Sequence, residues 1–290
     1  MRWTPGGTSE DVEDRRSESG GGGGRFSGGG LKLGCGGFIL LAVLSLVFKQ
    51  NFFALLDTGG APSGPTARQA GPRTVDRNEE RLAAFVSFVL DDVQATWRKQ
   101  FQASGRPYVN AKLVLFREAT RSGCGRADSA TGPFYCPEDQ KVYVDLGFFD
   151  DLKRRFGAPG DFAQAYVLAH EIGHHVQGQL GIEARLRSQQ QAYPSRRAAL
   201  SVRMELQADC LAGIWAKSTE QRQILEAGDV EEGLGAASAV GDDRIQKMTT
   251  GRVNPESWTH GSSRERVGWF QRGMSSGSLA ACDTFSAGGL

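Results

Sequence analysis

Residues 170–174 read His-Glu-Ile-Gly-His. Two histidines four apart share one face of a helix, one turn from each other. From that face two imidazole nitrogens can reach a single zinc ion, with Glu171 between them facing the remaining coordination space. The chemistry this arrangement offers is a metal-activated water with a carboxylate beside it to take its proton. The preceding Tyr166-Val167-Leu168-Ala169 is apolar, so the helix is expected to be buried. Buried imidazoles need partners, and a metal is one.

Catalytic zinc takes three protein ligands and keeps a position open for water. A third histidine at 180, preceded by glycine at 177, would be one solution, but the chain has Gln177 and Leu180. His175 projects about 100° around the helix from His174 and points elsewhere. Two acidic residues remain, Glu183 and Glu205. Glu205 lies in Met204-Glu205-Leu206-Gln207-Ala208-Asp209-Cys210-Leu211-Ala212, a largely apolar helical segment. Burying Glu205 and Asp209 one turn apart is costly unless a cation meets them. Glu205 is therefore the expected third ligand, with a salt bridge to Arg203 as the alternative. Asp209 would accept the outer N–H of a ligand histidine, His170 by preference, and fix its tautomer. Glu183, in a polar stretch, reads more simply as a solvated charge.

These residues need elements to hold them. The motif helix is expected from about Phe162 to Gln177, capped by Asp161 with Gln164 and stopped by Gly178 and Gly181. After a polar stretch, Pro194-Ser195 opens a long helix to about Lys217 that carries Glu205. Another helix is expected over Val230–Met248, and Ser262 with Glu265 forms a capping box for one through Trp269 and Phe270. Upstream, Leu82, Phe85, Phe88, Val89, Val93 and Trp97 recur at helical spacing to about Phe101. Lys112–Phe116 reads as a strand, Arg121–Gly132 as a loop, and Phe134–Cys136 and Val142–Asp145 as two short strands around the turn Pro137-Glu138-Asp139. Val142–Asp145 could be an edge strand that aligns an extended peptide by β-addition, or a simple core strand. The expected class is α+β: a mainly helical, zincin-like catalytic domain at 78–290 with a small sheet.

The N-terminal quarter has a different composition. Residues 20–24 and 28–30 are all glycine, and with the charged stretch Glu10–Arg16 they suggest a disordered tail over 1–32. The apolar run Leu33–Phe48, extended by Phe52, Phe53, Leu55 and Leu56, is expected as a single transmembrane helix over 33–56, followed by a linker over 57–77. Arg15, Arg16, Arg25 and Lys32 precede the run, which would put the tail in the cytoplasm and the catalytic domain outside the bacterial inner membrane, on its periplasmic side. Cys124, Cys136, Cys210 and Cys282 would then lie in an oxidising compartment and could form two disulfides. Three connectivities are possible, with Cys124–Cys136 the local choice. A formal net charge of +1 gives no basic surface that would argue for nucleic acid.

The chain also resembles a known family. HEIGHHVQ, ELQADCLAGIW, and Thr259-His260-Gly261-Ser262-Ser263 followed by Arg266 and Trp269-Phe270 are similar to the neutral zinc metallopeptidases of bacteria. Those proteins are membrane-anchored and of gluzincin type, with HExxH and a downstream ExxxD. The resemblance extends to Met1-Arg2-Trp3, Val12-Glu13-Asp14-Arg15-Arg16 and the loop from Cys124 to Pro137, so it spans nearly the whole chain. It implies a zinc endopeptidase holding one Zn2+ through His170, His174 and Glu205, with Glu171 as general base and a peptide or protein substrate. His260 is the candidate donor to the tetrahedral oxyanion, with Arg266 as alternative or support. A non-catalytic zinc-binding scaffold that docks a partner is the competing expectation.

Overall fold

The structure, a computed structural model, describes residues 1–18 and 76–286. Among them are six strands and eight α-helices. The strands are β1 (Val12–Asp14), β2 (Lys112–Phe116), β3 (Ala119–Ser122), β4 (Gly125–Asp128), β5 (Phe134–Cys136) and β6 (Lys141–Asp145). The helices are α1 (Arg77–Ala103), α2 (Gly147–Arg154), α3 (Asp161–Gln179), α4 (Ile182–Ala192), α5 (Arg197–Gln221), α6 (Asp229–Ala239), α7 (Asp242–Thr250) and α8 (Ser263–Ser276).

Four strands form one sheet in the order β1-β2-β6-β5, and β3 with β4 makes a separate hairpin. β1, β2 and β6 run parallel, and β5 turns back antiparallel on β6. The side-chain period of two splits each strand between two cores. Leu113, Leu115, Val142 and Val144 face the helical layer, while Val114, Phe116 and Tyr143 join Cys136 and Ala127 in a smaller cluster on the other face. The motif helix α3 lies at the centre of the helical layer, packed against α1, α5 and α6. Both disulfides join the expected partners, Cys124 with Cys136 and Cys210 with Cys282.

The N-terminal segment differs from what its composition suggests. Residues 1–18 are not a disordered tail, because β1 extends the sheet along β2 in register Val12↔Leu113 to Asp14↔Leu115. Met1 is 5% exposed in the main core, and the Trp3 ring lies 5.2 Å from that of Phe85. The charges that suggested disorder are paired across the sheet edge: Lys141 to Glu13 at 2.6 Å, Lys112 to Asp11 at 2.7 Å and Arg16 to Glu79 at 3.2 Å.

This also overturns the single-pass topology. No helix among the described residues is long and apolar enough to cross a membrane, and the segment 33–56 expected as an anchor lies outside them. A single crossing between residues 18 and 76 would put β1 and β2 in different compartments, whereas they are hydrogen-bonded neighbours. An inner-membrane placement with a cytoplasmic tail and a periplasmic domain is therefore not supported.

Other differences are local. β6 lies between β2 and β5, so Val142–Asp145 is a core strand and β5, like β1, is a sheet edge. The stretch over 230–248 is two helices, broken at Val240-Gly241, where a Cβ on Gly241 would fall 2.4 Å from the Ser263 amide nitrogen. Helix α3 starts at Asp161 with Gly160 at its cap, so Asp161 is its first residue and not the cap. The capping box of Ser262 and Glu265 is present as expected.

Candidate functional site

Helices α3 and α5 cross the site antiparallel and in close contact. A Cβ on Gly173 would lie 3.1 Å from the Ala208 carbonyl oxygen, which shows how near the backbones approach. Along this contact Tyr166 meets Asp209, His170 meets both Asp209 and Glu205, and His174 meets Glu205.

His170 Nε2 lies 3.2 Å from Glu205 Oε2, and His174 Nε2 lies 3.6 Å from Glu205 Oε1. One donor atom from each of the three residues falls within 4.8 Å of the others. Donors bound about 2.0–2.1 Å from a tetrahedral zinc would lie roughly 3.3 Å apart. Spacing and donor set therefore fit a divalent ion.

The outer nitrogens are occupied in a way that points both Nε2 atoms at Glu205. His170 Nδ1 donates to Asp209 Oδ1 at 2.9 Å, and His174 Nδ1 donates to Gln177 Oε1 at 2.9 Å. The Gln177 amide is held in turn, donating to the Met204 carbonyl at 2.8 Å and to Gln207 Oε1 at 3.0 Å. Gln177 was missed from the sequence, although its position three residues after His174 places it on the same face.

Asp209 is fully buried and heavily partnered. Arg266 meets it bidentately, Nε to Oδ2 at 2.8 Å and Nη2 to Oδ1 at 2.9 Å. The Tyr166 hydroxyl donates to Oδ1 as well. Burial would raise the Asp209 pKa, but Arg266 and His170 outweigh it and hold it below the usual carboxylate range. Burial lowers the His170 pKa, and Asp209 with Glu205 reverses this and pushes it up to about 9 in the absence of a metal. Glu171 is 8% exposed, and its pKa is raised, first by burial. His170 and His174, together with a backbone hydrogen bond from Tyr135, pull it the other way.

The remaining candidates take distinct places. Arg266 is buried with its guanidinium committed to Asp209 and the Val240 carbonyl. His260, on the loop before α8, lines the same cavity with a half-exposed side chain. Its Nδ1 lies 3.2 Å from Asp242 Oδ1. Burial lowers the His260 pKa, but Asp242 and the charge of Glu205 raise it overall. His175 points away from the donor atoms, with Nε2 donating to the Val109 carbonyl at 2.7 Å and Nδ1 accepting from the Tyr135 hydroxyl at 3.2 Å. Glu183 sits on the cavity wall, paired with Arg187 at 2.6 Å and outside the donor cluster. The cavity above these residues has a volume of about 1110 Å³, and its lining includes Phe134 and Tyr135 of β5 and the following Pro137.

A second acidic cluster, Asp161, Asp229 and Glu232, lies apart from this cavity. The α-amino group of Met1 donates to Asp161 at 2.7 Å and Asp229 at 3.1 Å and supplies its positive charge.

A family model described as "putative neutral zinc metallopeptidase" matches residues 1–285. The protein named "Uncharacterized protein YpfJ" of Escherichia coli K12 is 49% identical over 288 residues, covering 98% of this chain and 99% of its own length. "Uncharacterized protein Rv2575" of Mycobacterium tuberculosis H37Rv is 46% identical over 211 residues, 69% of each chain. No solved structure matches. From the sheet strand at its N-terminus to the helix that carries Arg266, this chain belongs to the neutral zinc metallopeptidase family.

Proposed function

We propose that this protein is a zinc-dependent peptidase that hydrolyses peptide bonds with a metal-activated water and Glu171 as general base. The observation that carries this reading is the convergence of His170, His174 and Glu205 on the floor of an open cleft, with Glu171 buried beside them. One zinc ion held by those three residues would supply a Lewis acid and lower the pKa of its bound water towards about 7.

The chain's own residues do the rest. Glu171, its basicity raised by burial, takes the proton of the attacking water and passes it to the leaving amine. Asp209 and Gln177 fix the ligand imidazoles in one tautomer and one orientation. Asp242 holds His260 Nδ1, and in the imidazolium form Nε2–H is left to meet the developing oxyanion. With Arg266 committed to Asp209, its part is to steady that carboxylate. β5, paired on one side by β6, offers its outer edge to an extended peptide in place of Val142–Asp145.

Metal analysis and peptide cleavage on the same preparations test the reading. Wild-type protein and Glu171→Gln should each carry one zinc, with cleavage of a mixed peptide library abolished in Glu171→Gln. Glu205→Ala should lose the metal. Undiminished zinc in Glu205→Ala would move the third-ligand role elsewhere. Zinc-loaded wild type that cleaves no peptide would leave the scaffold reading in its place.

A further inference from the structure

The two ligand histidines are held by different means. His170 donates to Asp209, a buried carboxylate. His174 donates to Gln177, a neutral amide that has a donor end and an acceptor end. Which ring nitrogen carries the hydrogen is set by the bond the other nitrogen makes. A bare Nε2 on His174, the form a metal needs, therefore depends on which way round the Gln177 amide lies.

That direction is imposed from behind. Gln177 Nε2 donates to the Met204 carbonyl at 2.8 Å and to Gln207 Oε1 at 3.0 Å, which uses both its hydrogens. Gln207 Nε2 donates to the Cys282 carbonyl at 2.9 Å. A backbone carbonyl only accepts, so Gln207 turns its NH2 to Cys282 and its oxygen to Gln177. Gln177 then turns its NH2 to Gln207 and Met204, and its oxygen to His174. Reversing either amide would set oxygen against oxygen, and Gln177, Gln207 and Cys282 are all buried. Polar groups left unpaired in such a place are costly.

The far end of this chain of amides is anchored. Cys282 closes the short turn Leu279–Cys282 and is bonded to Cys210. Cys210 lies three residues after Gln207, so the disulfide and the amide share one face of α5. Just beyond, Thr284 Oγ1 donates to the Arg203 carbonyl at 2.7 Å, and Arg203 Nη1 donates to that of Phe285 at 3.0 Å. The C-terminal segment is thus fastened along the stretch of α5 that carries Glu205 and Asp209.

We propose that Gln207 and the Cys282 carbonyl are positioning groups of the metal site. The C-terminal segment, stapled by Cys210–Cys282, fixes the tautomer of His174 through Gln207 and Gln177, and so sets the affinity for zinc. The proposal rests on His170, His174 and Glu205 as zinc ligands and not on cleavage.

Zinc affinity of the full-length protein, measured by competition with a chelating dye, tests it. Gln207→Met keeps the length of the side chain and removes the relay. Cys210→Ala with Cys282→Ala keeps both amides and releases the carbonyl that orients them. Each should weaken zinc binding about tenfold, the lower end of what loss of an outer hydrogen-bond partner costs. The deciding comparison is with Gln177→Met, which cuts the chain next to the ring. In that background neither change should weaken binding further, whereas a general loosening of the fold would add in either background. Wild type supplies a measurement free of any folding defect. In the zinc-loaded protein the His174 Nδ1–H and the side-chain amides of Gln177 and Gln207 should exchange slowly with solvent by NMR. Zinc binding unchanged in both variants, losses that add in full to that of Gln177→Met, or fast exchange at the Gln207 amide would each overturn the relay and leave the three ligands in place. Wild type that binds no zinc would overturn the ligand set, and the relay with it.

Discussion

One carboxylate oxygen of Asp242 accepts three successive backbone N–H groups, from Thr259 at 2.8 Å, His260 at 2.6 Å and Gly261 at 3.0 Å. Its other oxygen faces His260 Nδ1. The loop can wrap one carboxylate this tightly because Gly261 sits at φ +89, a conformation that side chains rarely adopt. Asp242 therefore sets both the position of His260 and its charge. Burial lowers the His260 pKa, and Asp242 with Glu205 raises it above the ordinary value. The imidazolium form is present below that raised pKa and is lost as pH rises through it. Deprotonation with Nδ1–H retained by Asp242 removes the hydrogen from Nε2, the atom assigned to the oxyanion. Turnover should therefore fall along an alkaline limb set by His260. Asp242→Asn should move this limb to lower pH, towards the ordinary histidine range. His260→Ala should lower kcat on the order of a hundredfold with KM little changed, and lose the limb. An unchanged pH–rate profile in both variants would remove His260 from the reaction. The sequence showed His170, His174, Glu205 and Asp209 because each pair lies one helical turn apart. It hid Asp242, 18 residues before its histidine, because nothing in local spacing marks a contact made by folding back a loop.

Helices α5 and α8 meet backbone to backbone, and this crossing brings Arg266 to Asp209. A Cβ on Gly273 would lie 1.9 Å from the Cys210 carbonyl oxygen, and one on Gly213 would lie 2.1 Å from that of Phe270. Neither clash can be relieved by turning a side chain. Gly273→Ala should cost about 1–3 kcal/mol or more by overpacking, a fall in Tm of several degrees, and should weaken zinc retention by displacing Arg266. Gly268→Ala is the control on the same helix, since nothing lies within 4 Å of a Cβ there. It should stabilise α8 by up to about 1 kcal/mol. Thermal unfolding and metal content of the two variants decide the matter; equal behaviour would mean that the crossing has slack. Helices of this kind were readable where an apolar stripe or a capping box announced them, as at Ser262 and Glu265. α4 was not, because only Leu186 of its residues is buried and its polar sequence carries no stripe. The break between α6 and α7 was not either, since what forces it is Ser263, a neighbour from α8.

The sheet is completed by a segment that composition alone would leave unfolded. β1 contributes three residues, of which Val12 alone is apolar, and its stability comes from partners that lie far along the chain. The Leu113 N–H donates to the Asp11 carbonyl at 2.8 Å, and the Arg15 N–H donates to that of Leu115 at 2.8 Å. The Asn110 amide and the Gln94 amide both donate to Asp11 Oδ2, at 2.6 and 3.0 Å. At the other end of the segment, Met1 and Trp3 fill the core beside Phe85, and the Met1 amine balances the buried Asp229. Low apolar content hides this, because the segment supplies ladder hydrogen bonds and charge pairs more than surface. Deleting residues 1–18 should therefore expose the edge of β2, open a hole beside Phe85, and leave Asp229 buried without its cation. The last of these alone costs roughly 3–5 kcal/mol when a buried pair is broken. The expected outcome is a Tm lowered by ten degrees or more, with loss of hydrogen-exchange protection at Lys112–Phe116. A deletion variant that melts within a degree of the full chain, with those amides still protected, would show that β1 is dispensable to the sheet.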